Sequence, residues 1–219
     1  MMNNLKTIAS LSILLTASGC ANSNTVPPTE GCSPVDEAWM NTVPRCAQTE
    51  GYFHYPGRWP APDCVVADGD FEYANSSQSS VPELSRFRAI LGRLNFFEAN
   101  GLADISALRN IEHLGQFNIS TTPLPNLRGL DNLRVVTADF RVGYMPTLTS
   151  LEGVERLRFV GGNLQIFGNT QLTSLRGLTS LCRVDGNVQI TGNTLLPQSE
   201  IDAFLAHVEV GGEVILTNP

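Results

Sequence analysis

The side chains best placed to do chemistry recur at a near-constant interval. Glu72, Asn95, Asn118, Arg141, Gln165, Gln189 and Ile215 each stand between two apolar residues, in pairs such as Phe117/Ile119 and Leu164/Ile166. Such alternation makes a half-buried strand and turns the intervening residue outward. The row carries a single carboxylate, Glu72, without a complementary neighbour. Shared-proton chemistry or calcium binding needs carboxylates or basic groups clustered on adjacent strands, so the row reads as non-catalytic. Its uncharged amides, Asn95, Asn118, Gln165 and Gln189, together with Arg141, form the candidate binding face. They can hydrogen-bond a peptide or a sugar at little desolvation cost. A plain solvated sheet face would look the same.

Other chemistry is sparse. The histidines, His54, His113 and His207, lack metal-ligand spacing, and the cysteines lack CxxC pairing. There is no Gly-x-Ser-x-Gly elbow, phosphate loop or dinucleotide fingerprint. No catalytic residue, metal or cofactor is expected. Arg88, Arg134 and Arg158 form a second stripe, suited either to an anionic partner or simply to solubility. A formal net charge of −7 over 219 residues argues against nucleic acid and anionic lipid as non-specific partners.

The first residues read as an address. Lys6 precedes an apolar run from Ile8 to Leu15, followed by Ala17-Ser18-Gly19 and Cys20. A charged start, a short apolar stretch and small residues before the cut are the parts of an export signal. The run is too short to span a bilayer. Ala-Ser-Gly-Cys resembles a bacterial lipobox, with Ala17 where leucine is more usual, and implies that Cys20 becomes an acylated N-terminus held in the lipid bilayer. Several acyl chains give stable anchoring. Ala21 after the cysteine implies sorting to the outer membrane. Lys6 is the only lysine, so a mature chain beginning at Cys20 contains none. Residues 20–30 are small, polar and proline-containing, a tether rather than a fold.

A repeat must position the row. Leu148, Leu151, Gly153, Val154, Leu157 and Val160 recur 24 residues later as Leu172, Leu175, Gly177, Leu178, Leu181 and Val184, and 24 earlier as Leu124, Leu127, Gly129, Leu130, Leu133 and Val136. The apolar strand pairs run Phe71/Tyr73, Leu94/Phe96, Phe117/Ile119, Phe140/Val142, Leu164/Ile166, Val188/Ile190 and Val214/Leu216, spaced 23 to 26 residues apart. Seven such units, each too short to bury its own apolar face, must stack. The triplet-spaced leucines fall apart from the strand pairs, which favours a closed β-helix over a leucine-rich-repeat horseshoe. Gly92, Gly162 and Gly186 precede strands and suit corners needing positive φ.

Residues 162–181, Gly-Asn-Leu-Gln-Ile-Phe-Gly-Asn-Thr-Gln-Leu-Thr-Ser-Leu-Arg-Gly-Leu-Thr-Ser-Leu, resemble the receptor L-domain repeat. The likeness extends over about residues 64–219 and is strongest in the last three repeats. It implies an all-β solenoid, a right-handed parallel β-helix of about seven rungs, and a binding role without a particular ligand. Animal receptors place two such domains around a cysteine-rich module; this chain has one.

The ends differ from the repeat. Ile201, Phe204, Leu205 and Val208 mark one apolar helix face, with Ser199 and Asp202 as an N-cap pair. This helix is expected to cap the C-terminal end. Residues 31–63 hold Trp39, Trp59, Tyr52, Phe53 and Tyr55 beside Cys32 and Cys46. They form an arm expected to cap the other end, an alternative being aromatic stacking on sugar rings. Cys32, Cys46, Cys64 and Cys182 suit disulfides in an oxidising compartment. Cys182 sits where neighbouring repeats place the outward Arg134 and Arg158. One bridge within the arm and one from arm to Cys182 are expected, without a readable connectivity. The organisation is therefore a signal peptide at 1–19, a tether at 20–30, the arm at 31–63 and the repeat domain at 64–219. The expected function is a lipid-anchored, non-enzymatic envelope module that binds protein or glycan. A carbohydrate-cleaving β-helix and a purely structural envelope protein are the alternatives.

Overall fold

A computed structural model describes residues 64–217 together with residues 42, 43, 45, 46, 53 and 54. The export segment with Cys20, the tether, Cys32 and most of the arm lie outside the described residues. The chain opens with β1 (Phe53–His54), β2 (Val66–Ala67) and β3 (Phe71–Ala74), followed by two long strands, β4 (Ala89–Phe97) and β5 (His113–Ser120). Short and longer strands then alternate: β6 (Val135–Val136), β7 (Phe140–Gly143), β8 (Phe159–Val160), β9 (Leu164–Phe167), β10 (Arg183–Val184) and β11 (Val188–Thr191). Helix α1 (Gln198–Leu205) comes next, then β12 (Glu209–Val210) and β13 (Val214–Thr217).

All strands belong to one 13-stranded sheet, and every pairing is parallel. The sheet forks. The two-residue strands ladder onto the first halves of β4 and β5, and the four-residue strands onto their second halves. A register shift between Ile90 and Arg93 marks the bend between the two ladders. In the longer ladder Leu94, Phe117, Phe140, Leu164, Val188 and Val214 are aligned neighbours. The register thus follows the 23- to 26-residue spacing of the sequence.

The expectation of a closed, right-handed parallel β-helix is overturned. The sheet is open, running from an edge at β12 to an edge at β13, and it does not close on itself. The leucine-bearing segments between repeats are turns and irregular loops with short 3-10 stretches at Pro82–Arg86, Ser106–Asn110 and Arg176–Leu178. Their spacing is compatible with this. Leucines at every third position match the three-residue turn of a 3-10 helix and not the two-residue period of a strand. Between repeats these segments make isolated parallel bridges, Ser80↔Asp104 and Ser150↔Ser174, rather than a third ladder, and their leucines pack inward. Leu124, Leu127, Leu130 and Leu133 join Phe117, Phe140 and Leu164 in one continuous buried core.

Two smaller expectations are also corrected. Gly92, Gly162 and Gly186 are absent from the positive-φ residues, which include Gly129, Gly153, Gly168 and Gly192. Their requirement is space: a Cβ at any of them would collide with the preceding repeat, at Asp70, Asp139 and Asn163 respectively. The helix begins without a side-chain cap, after Pro197 rather than at Ser199. Asp202 accepts instead from Gln198 Nε2 at 2.9 Å. Ile201 and Phe204 are buried, and Leu205 and Val208 pack partly against the core.

At the N-terminal side, β1 pairs with β3 through Phe53↔Phe71 and His54↔Glu72. Arg45 bridges to Val66, and Cys46 is bonded to Cys64 within the core. Arm residues therefore lengthen the sheet at this edge.

Candidate functional site

Sheet register brings the candidate face together. Glu72, Asn95, Asn118, Arg141, Gln165, Gln189 and Ile215 are aligned across β3, β4, β5, β7, β9, β11 and β13. Adjacent members are separated by one strand spacing, about 4.8 Å. Most are half-buried between neighbours; Asn95 is only 8% exposed.

The amides bond to one another. Asn118 Nδ2 donates to Asn95 Oδ1 in a short hydrogen bond, and Asn95 Nδ2 donates to Glu72 Oε1 at 3.4 Å. Gln165 Nε2 donates to Gln189 Oε1 at 3.1 Å. Arg141 separates the two runs and is held by Asp139 at 2.7 Å. Each amide carries two donors and an acceptor, so these bonds leave capacity. Gln165 Oε1 and both N–H groups of Gln189 have no partner among the described residues. The face is thus preset by its own ladder and still open to a ligand.

Sequence reasoning missed the aromatic border of this row. Two residues beyond it in each strand, Ala74, Phe97, Ser120, Gly143, Phe167 and Thr191 form the next outward column. Phe97 is 41% exposed, and Tyr144, the residue after Gly143, is 63% exposed. Tyr144 and Phe167 meet edge to face, with ring centroids 5.2 Å apart and planes at 85°. A Cβ at Gly143 would strike the Phe167 ring, and one at Gly168 would strike the Tyr144 ring. The available signal was the repeat itself: Tyr144 occupies the corner filled by Gly168 and Gly192 in the next two repeats.

The remaining candidates are scattered. Arg88 pairs with Glu112 at 2.7 Å, while Arg134 and Arg158 are exposed farther along the same stripe. Arg183 donates to Asp185 at 2.6 Å; that bond and the Asp185 charge hold its guanidinium still more firmly in the charged form. Cys182, in the column of the exposed Arg134 and Arg158, is 6% exposed and lies in a disulfide, with its sulfur 3.3 Å from the Arg158 carbonyl oxygen. A disulfide at Cys182 is the expectation from the sequence; its partner lies outside the described residues.

A shallow cleft between α1 and the 3-10 turn is lined by Leu175, Arg176, Thr179, Glu200, Phe204 and His207. Two of its polar groups, Glu200 and His207, are engaged in holding the helix. Glu200 Oε2 accepts from Ser174 Oγ at 2.8 Å and from the Leu175 N–H at 2.9 Å. The His207 ring nitrogens face the carbonyls of Ala203 and Leu178 at 2.9 and 3.3 Å. His113 is buried in β5. Among the described residues no group of three or more His, Cys, Asp or Glu is arranged to hold a metal ion. Among them, too, no helix is long and apolar enough to cross a membrane. Compared with known proteins, the chain matches no family model, no curated protein and no solved structure.

Proposed function

We propose that this chain is a lipid-anchored, non-enzymatic module of the bacterial envelope that presents the polar sheet face to a protein or glycan partner. The observation that carries the reading is the aligned row Asn95, Asn118, Arg141, Gln165 and Gln189, pre-ordered by mutual hydrogen bonds and bearing unspent neutral donors and acceptors. Such groups recognise peptide or hydroxyl groups without the cost of desolvating a charge. The lipobox-like Ala17-Ser18-Gly19-Cys20 and the tether after it supply the anchor, with Ala21 favouring the outer membrane. In this reading the sequence likeness of residues 162–181 to receptor L-domain repeats reflects a shared binding role.

The test combines location and binding. Protease is added to intact cells bearing the wild-type chain or Cys20→Ala. Digestion of the wild type and release of the variant would support outward display. Retention of the variant in the membrane fraction would refute the acyl anchor. Because the acylated chain has no lysine, partners are sought with a photoreactive residue at position 165 and not with amine-reactive crosslinkers. Loss of a crosslinked product on Gln189→Ala is the expected signature of a partner on this face.

A further inference from the structure

We propose that the corner formed by Tyr144 and Phe167 is a stacking subsite for an uncharged oligosaccharide, with Gln165 and Gln189 as the adjoining hydrogen-bonding groups. The proposal rests on the reading of this sheet face as a binding surface and assigns it a ligand class.

The first observation is backbone geometry. Tyr144 has φ 51°, as do Asn75 and Glu98, with Thr121 at 53°; Gly168 and Gly192 reach 67° at the same corner. Left-handed backbone costs a non-glycine residue on the order of 1–3 kcal/mol. Glycine would serve the turn better at position 144. Of these corner side chains Tyr144 is the large aromatic one, and it is 63% exposed. It adds almost nothing to the core in return for that strain.

The second observation is rigidity. Phe167 lies across Gly143 and meets the Tyr144 ring at 85°, while Tyr144 lies across Gly168. Each ring packs against the other and against bare backbone. A preset aromatic surface loses little entropy on binding. Phe97, 41% exposed, stands in the same column as Gly143, two strands away. That separation is about 10 Å, a second platform within reach of a linear chain.

The third observation is charge. The groups beside the rings include neutral amides with unspent donors and acceptors, and the cation of the same row, Arg141, is tied to Asp139 at 2.7 Å. Aromatic faces take the apolar C–H faces of sugar rings, and amides take their hydroxyls. An open sheet face with this composition, lacking a deep pocket, suits an uncharged glycan better than a protein, whose binding energy concentrates in desolvated pockets.

The probes are cellohexaose, laminarihexaose and chitohexaose, titrated against the full-length acylated protein in a sugar-free detergent and followed by saturation-transfer NMR. At least one is expected to bind. Its Kd should rise tenfold or more in Tyr144→Ala and in Phe167→Ala, and stay within about threefold of wild type in Tyr144→Phe. Near-UV circular dichroism confirms that each variant is folded. The subsite is overturned if none of the three binds, or if Tyr144→Ala binds as the wild type does. If the sugars fail while the photocrosslink at position 165 still depends on Gln189, only the ligand class is wrong. If both fail, the binding face itself is refuted.

Discussion

Tyr144 and Phe167 cross edge to face at 5.2 Å, each ring lying over a glycine of the neighbouring repeat. The pair therefore depends on two missing Cβ atoms as much as on its own contact. Gly168 combines both demands, since its φ is 67° and a Cβ there would strike the Tyr144 ring. Gly168→Ala should lower stability by about 1–3 kcal/mol. The same change in a Tyr144→Ala background should cost less, because the ring collision is gone. A double-mutant cycle by urea denaturation measures the coupling; strict additivity would mean the ring does not press on the glycine.

Asn169 and Asn193 are fully buried and hydrogen-bonded to each other's repeats. Asn193 Oδ1 accepts from the Asn169 N–H at 3.0 Å, and Asn193 Nδ2 donates to the Ile166 carbonyl at 2.9 Å. Truncation to alanine strands both groups in the core. Asn193→Ala should cost at least about 2 kcal/mol, whereas Gln189→Ala on the half-buried face should stay within about 0.5 kcal/mol. Denaturation midpoints of the two variants decide whether the buried amides or the surface amides hold the repeat together.

The cysteines predict a covalent map. Cys46 is bonded to Cys64 across a separation of 18 residues, and Cys182 is also in a disulfide. Of the five cysteines this leaves Cys20 and Cys32. Non-reducing peptide mapping should link Cys182 to the peptide containing Cys32. A link to Cys20 would instead remove the thiol needed for acylation and overturn the anchor. Replacing Cys46 and Cys64 together by serine should lower stability by about 3 kcal/mol, the entropy expected for a loop of this size.

Ile166, Ile190 and Leu216 are aligned on one face of the sheet, yet Leu216 at the β13 edge is 38% exposed while the other two are fully buried. Ile166→Ala should cost about 2–5 kcal/mol. Leu216→Ala should cost less than about 1 kcal/mol, since it opens no enclosed cavity. Similar losses at the two positions would show that the edge is covered in solution. In that case Ile215→Lys, which charges the exposed edge, should change the sedimentation coefficient.

Much of this architecture could be read from residue order. Alternating pairs such as Leu164/Ile166 and Val188/Ile190 define strands because side chains change face at every residue. Their 24-residue recurrence defines the register because a one-residue slip would expose the buried face. The aligned row from Glu72 to Ile215 follows from those two facts. The helix face of Ile201 and Phe204 was legible for the same reason, its period being that of an α-helix.

Tertiary structure decided the rest. Whether the leucine segments would form a third ladder depended on backbone hydrogen bonds that leucine spacing does not specify, and they settled as turns beside an open sheet. The glycines at 92, 162 and 186 were recognised as special, but crowding at the bend, not φ, is the cause, and crowding exists only between stacked repeats. Cys182 shares its column with exposed arginines, yet it is 6% exposed and lies in a disulfide, which residue order alone does not fix. The Tyr144–Phe167 corner was hidden likewise, since residues 23 apart meet only after both strands are paired and both glycines have made room. Sequence by itself determined which residues alternate and how far apart repeats lie, because those are properties of local backbone geometry. Only the tertiary structure determined which surfaces close and which rings touch, because those depend on packing between segments far apart in the chain.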